Sequence, residues 1–80
     1  MAFEKQNFEI IGKTNVISES ENGDWNLEAN LVSWFKHAPK LEIRKWSEDH
    51  LKMSKGLRLS KEEAIKLRDI LVSLNIEKNY

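Results

Sequence analysis

Short apolar runs fill the first three quarters of the chain, and a helical period replaces them at the end. Phe8-Glu9-Ile10-Ile11 and Asn15-Val16-Ile17-Ser18 are rich in β-branched and aromatic residues, the composition of strands. With Gly12 as a bulge or bend between them, they form a first strand region from Phe8 to Ser20. Glu21-Asn22-Gly23-Asp24 follows, and Asn-Gly between strand-like runs is a strong turn signal. A second strand is predicted from about Trp25 to Phe35. His37-Ala38-Pro39 makes a turn, and Lys40 to Trp46 a third strand. Ser47-Glu48-Asp49-His50 opens a polar loop that runs on through Lys52 and Lys55, and Gly56 to Leu59 forms a short fourth strand.

The helix has the clearest signature. Ser60-Lys61-Glu62-Glu63 is a capping box with Ser60 at the N-cap, and the acidic residues lie early, as the helix dipole prefers. Ala64, Leu67, Ile70, Leu71 and Leu74 share one face, while Ile65, Val72 and Ile76 form an adjoining stripe. One stripe is enough to cover a small sheet. The second points to helix-to-helix contact in a homodimer, or else to one wide face wrapped by a curved sheet. The order ββββα predicts an α+β domain spanning residues 1–80: a four-stranded curved antiparallel sheet followed by one C-terminal helix. Such a sheet leaves one face open.

A four-residue connection, Lys36 to Pro39, would set Phe35 opposite Lys40, Trp34 opposite Leu41 and Val32 opposite Ile43. Cross-strand partners share a face. One face then collects Val32, Trp34, Leu41 and Ile43 and is expected to be core. The other collects Leu31, Ser33, Phe35, Lys40, Glu42, Arg44 and Trp46. A connection one residue longer or shorter would move Trp34 between faces. Rings beside cations suit single strands, because exposed bases stack on aromatics for roughly 1–3 kcal/mol each and cations meet phosphates. Trp46, two residues after Arg44 and out of phase with Leu41 and Ile43, is expected to be such a ring.

Charge sharpens this picture. The 80-residue chain is neutral overall, which alone argues against a nucleic-acid binder. The distribution is uneven. Residues 1–35 hold two basic and six acidic side chains, whereas residues 36–58 hold seven basic and three acidic ones. Local charge steers anions more than net charge does. The chain has no cysteine, which excludes disulfides and thiolate metal sites. No stretch approaches the roughly 18 apolar residues of a membrane span, and the opening residues lack a signal-peptide pattern; a cytoplasmic protein without membrane contact is expected.

Leu41-Glu42-Ile43-Arg44-Lys45-Trp46, a polar loop, then Lys55-Gly56-Leu57-Arg58-Leu59-Ser60 and a helix resembles the positive cofactor four family, transcriptional coactivators that bind single-stranded DNA, and its short bacterial members in particular. The resemblance spans about Phe8 to Leu74. It implies a homodimer built through the C-terminal helices, with curved sheets forming channels for single strands. It implies that Arg44 meets the DNA, that Phe35 and Lys36 form an aromatic-basic pair at the hairpin, and that Trp46 is an aromatic at the strand exit. Lys55 and Gly56 match the pair before the last strand, where glycine would permit positive φ. The His37-Ala38-Pro39 turn and the neutral charge depart from the family pattern.

The expected nucleic-acid-binding set is therefore Trp34, Phe35, Lys36, Lys40, Arg44, Trp46, Lys52, Lys55 and Arg58. No nucleophile, metal cluster or phosphate loop stands out: Ser60 is a cap, and His37 and His50 read as surface loop residues. An enzyme, a cofactor and a small-molecule substrate are not expected. The function expected is sequence-independent single-stranded-DNA binding, linked to transcription regulation or to DNA replication or repair. The alternatives are single-stranded RNA as the ligand, or a protein-interaction module, for example one that engages RNA polymerase.

Overall fold

The computed structural model describes residues 7–80. The strands are β1 (Phe8–Ile11), β2 (Val16–Glu19), β3 (Trp25–Trp34), β4 (Lys40–Ser47) and β5 (Leu57–Leu59); the helices are α1 (Lys61–Leu74) and the single-turn α2 (Ile76–Asn79). All strand pairs are antiparallel. β1 and β2 both lie on one edge of β3, β4 lies on the other, and β5 closes the far side. The first strand is thus one strand broken in two. Gly12 turns out of it with φ of 77°, a conformation that costs glycine little, and Asn15 N–H donates to the side chain of Asn30 at 2.7 Å. The Asn22-Gly23 signal forms the turn into β3, where Gly23 N–H donates to Ser20 C=O at 3.0 Å.

The β3–β4 register differs from the sequence expectation. Val32, not Phe35, stands opposite Lys40. Ser33 and Trp34 pair instead with Glu9 and Phe8 of β1. The chain then reverses at Trp34-Phe35-Lys36-His37. His37 N–H donates to Trp34 C=O at 2.8 Å, and Phe35 and Lys36 are both left-handed, with φ of 52° and 63°. These are the features of a type I′ turn. Ser33 Oγ pins the exit by donating to His37 C=O at 2.6 Å, and Pro39, with no N–H for a ladder, precedes the first residue of β4.

The shift is three residues, an odd number, so it exchanges faces. Leu31, Leu41 and Ile43 share the face toward α1. Val32 and Trp34 join Lys40, Glu42, Arg44 and Trp46 on the other, together with Glu28 and Asn30. That second face is not open along its length. Glu28, Asn30, Val32, Glu42, Arg44 and Trp46 are all buried. Phe8 from β1 covers it, with its ring 5.1 Å from both Trp34 and Trp46, and Met53 bridges to Trp46 from the loop after β4.

The capping box forms in full. Glu63 N–H donates to Ser60 Oγ at 3.1 Å, and Ser60 N–H to Glu63 Oε1 at 2.8 Å. α1 ends on left-handed Asn75. No α1 side chain is buried; Ile65, Ile70, Leu71, Val72 and Leu74 are exposed, as are Leu31 and Leu57 nearby. The radius of gyration, 14.1 Å, exceeds the about 12 Å of a compact chain of this length. Ala64 and Leu67 are half-buried, and the remaining apolar side chains of α1 are left exposed, although a helix of this length is marginal without packing.

Candidate nucleic-acid interface

β4 places Glu42 at the centre of the buried polar face, where three side chains converge on its carboxylate. Arg58 Nε on β5, the cross-strand neighbour of Glu42, donates to Oε2 at 3.0 Å. The Trp34 indole N–H donates to the same oxygen. Arg44, two residues on along β4, brings Nε within 2.9 Å of Oε1. The last contact is Coulombic only. Its N–H is not aimed at the oxygen, so both atoms are buried without a hydrogen-bond partner.

Trp34 is packed among cations and rings. Its centroid lies 5.6 Å from the Arg58 guanidinium carbon and 5.9 Å from that of Arg44, within cation–π range. Phe35 lies 6.2 Å away. Beside it opens a recess of about 460 Å³ lined by Val32, Trp34, Phe35, His37, Ala38, Lys40 and Arg58. The Phe35 ring is 62 % exposed, held out by the left-handed turn, with Lys36 next to it. Arg58 bonds the buried Glu42 while its own side chain stays 45 % exposed.

The expected site residues therefore divide. Trp34, Phe35, Lys40 and Arg58 line the recess, and Lys36 sits on the same turn. Lys52 and Lys55 are exposed on the loop after β4, outside the recess. Trp46 is a correction. It is only 1 % exposed, enclosed by Phe8, His50 at 5.2 Å and the Arg44 guanidinium, so its ring presents no free face to a base. Being out of phase with Leu41 and Ile43 placed it on the second face, but that face is itself core at this end. Arg44 lies beneath Met53 and Ser54, to which its Nη1 points.

Gly56 and His50 also differ from expectation. Gly56 is needed for space, not for positive φ: a Cβ there would lie 2.4 Å from Arg44 Cβ and 2.7 Å from Arg44 Nε. His50 is not a plain surface residue. Its Nε2 lies 3.0 and 3.1 Å from the two oxygens of buried Glu28, whose Oε1 also accepts from Asn30 at 2.8 Å. Glu28, Glu42 and Phe8 were missed by sequence reasoning. The signal for the carboxylates was their place at alternate positions with Asn30, Val32 and Arg44, a polar stripe in strands too long to be edges. Among the described residues no cluster of histidine or acidic side chains has the arrangement of a metal site.

Residues 22–70 match the model of the transcriptional coactivator p15 (PC4) family. The chain belongs to that family. The match runs from the turn before β3 into α1, and so contains the Glu42–Arg44–Arg58 cluster, the recess and the helix cap. Members of the PC4 family bind single-stranded DNA and are not enzymes. A second comparison extends further: an uncharacterised protein of Treponema pallidum (strain Nichols) is 39% identical over 70 residues, covering 88% of this chain and 81% of its own length.

Proposed function

We propose that this PC4-family protein binds single-stranded DNA without sequence preference, as a homodimer, in support of transcription, replication or repair in the cytoplasm. The observation that carries the reading is the recess: an exposed Phe35 ring, held out by a strained turn, beside Lys40 and Arg58. A base enters beside Phe35 while its phosphates run along Lys36, Lys40 and Arg58. Duplex DNA buries its bases and gains little from such a ring. No base-edge reader is needed, since stacking and phosphate contact are indifferent to sequence. Lys52 and Lys55 extend the positive surface along the strand path.

The second copy is the natural cover for α1, whose apolar side chains otherwise face water. Burying them at about 25 cal/mol per Å² supplies the core that an 80-residue chain lacks alone. Phe35→Ala and Lys40→Gln test the site, because both residues are exposed and neither holds the fold. Each variant is expected to bind a single-stranded oligonucleotide several-fold more weakly with an unchanged melting temperature. Wild-type affinity in both would refute the site.

A further inference from the structure

Arg44 is the arginine that the family resemblance assigns to DNA, yet it is 9 % exposed. No strong directed hydrogen bond holds its guanidinium, which packs 5.9 Å from the ring centroids of Trp34 and Trp46. Nε lies beside Glu42 Oε1 without a directed hydrogen bond, and both atoms are buried and otherwise unpartnered. Nη1 points at the Met53 sulfur, a weak acceptor, and reaches the Ser54 carbonyl only at 3.4 Å. The other oxygen of Glu42 is firmly satisfied by Arg58 and the Trp34 indole. Both of those donors sit on Oε2, so Oε1, buried and without a hydrogen-bond partner, loses its ion-pair partner if Arg44 leaves, and freeing Arg44 carries a cost. Against that cost, a phosphate oxygen offers the Arg44 Nε–H the directed hydrogen bond that it lacks in the free protein.

We propose that Glu42 sets the affinity of the nucleic-acid face: its carboxylate occupies Arg44 in the free protein and competes with the backbone phosphate of an arriving strand for that guanidinium. The proposal rests on reading this face as the single-strand interface. Gly56 belongs to the same device, since the Cβ it lacks would fill the space next to Arg44 Nε. A strand that brings several phosphates and a base for Phe35 meets the cost of freeing Arg44, whereas a lone phosphate does not. The acid thus selects polymers over small anions.

The test is a cycle of wild type, Glu42→Gln, Arg44→Gln and the double variant, each titrated with labelled oligo-dT at low salt, with the Arg44 Nε–H resonance of the wild type followed by NMR. Glu42→Gln is expected to bind about tenfold more tightly, which corresponds to about 1.4 kcal/mol. That gain should vanish when Arg44 is absent, because the two residues act as a unit. The wild-type Arg44 Nε–H signal should move on binding while that of Arg58 holds. A gain that survives in the Arg44→Gln background would make Glu42 a general charge effect and overturn the proposal. So would unchanged or weaker binding by Glu42→Gln, or an unmoved Arg44 signal at saturation; in these cases the wild type still binds and the interface reading stands. The wild-type signal needs no variant to fold. Absence of wild-type binding would remove both readings together.

Discussion

His50 reaches from the turn after β4 to place Nε2 3.0 and 3.1 Å from the two carboxylate oxygens of Glu28, on the neighbouring strand. The turn that delivers it is itself built of side-chain contacts: Ser47 Oγ donates to Asp49 at 2.7 Å, and Lys52 N–H donates to Ser47 Oγ at 3.0 Å. His50 pays for this reach with a left-handed backbone, φ of 60°. Removing its ring takes from the buried Glu28 the contact to Oε2, while Oε1 keeps its hydrogen bond from Asn30. His50→Ala should lower stability by about 1–3 kcal/mol, read from urea unfolding, and His50→Gln should recover part of the loss. An unchanged midpoint in the alanine variant would show that the contact holds nothing.

Gly56→Ala acts through space. A methyl group there meets Arg44 Cβ at 2.4 Å and the Ile43 carbonyl oxygen at 3.0 Å, so β4 or the Gly56 backbone must move. Overpacking of this kind costs typically about 1–3 kcal/mol. The variant should melt at a lower temperature and bind oligonucleotide more weakly, since Arg44 is displaced as well. A wild-type melting curve would contradict the fit.

The Phe35-Lys36 turn couples stability and binding in opposite directions. Two consecutive left-handed residues that are not glycine cost on the order of 1 kcal/mol or more each, and Asn-Gly suits the same turn without strain. The Phe35→Asn, Lys36→Gly double variant should therefore melt higher than wild type while losing affinity for single strands. A variant both more stable and fully active would mean that the strain serves no ligand.

Val72 separates the single chain from the dimer. It is 76 % exposed, so Val72→Glu removes little packing within one chain. Sedimentation velocity should show wild type as a dimer and Val72→Glu as a monomer of lower stability. A dimeric variant, or a monomeric wild type, would remove α1 as the interface.

The elements legible in the sequence are those fixed by local chemistry. Ser60 and Glu63 cap α1 as their spacing implies, Asn22-Gly23 turns as such pairs do, and the strands fall near their predicted bounds. The β3–β4 register was not legible, because its turn uses Phe35 and Lys36 in conformations that ordinarily signal glycine or asparagine, while Pro39 drew the turn toward itself. Three residues of slip then exchanged the companions of Arg44 from Leu31 to Glu28. Within the candidate site, Phe35, Lys40 and Arg58, which line the recess, were expected from charge and ring chemistry. The burial of Trp46 could not, since Phe8, His50 and Met53, which cover it, come from segments that only the fold brings together. The Glu42 hub depends on the same long-range placement of Arg58 and Trp34.

Single-strand binding is tested by fluorescence anisotropy of a labelled oligo-dT of about 20 nucleotides, long enough to span several stacking and phosphate contacts, at two salt concentrations with the matching duplex as competitor. Binding that weakens steeply with salt, as counterion release requires, and that the duplex fails to displace is the result predicted. Displacement by equimolar duplex, or an affinity indifferent to salt, would contradict a single-strand interface built on Phe35, Lys40 and Arg58.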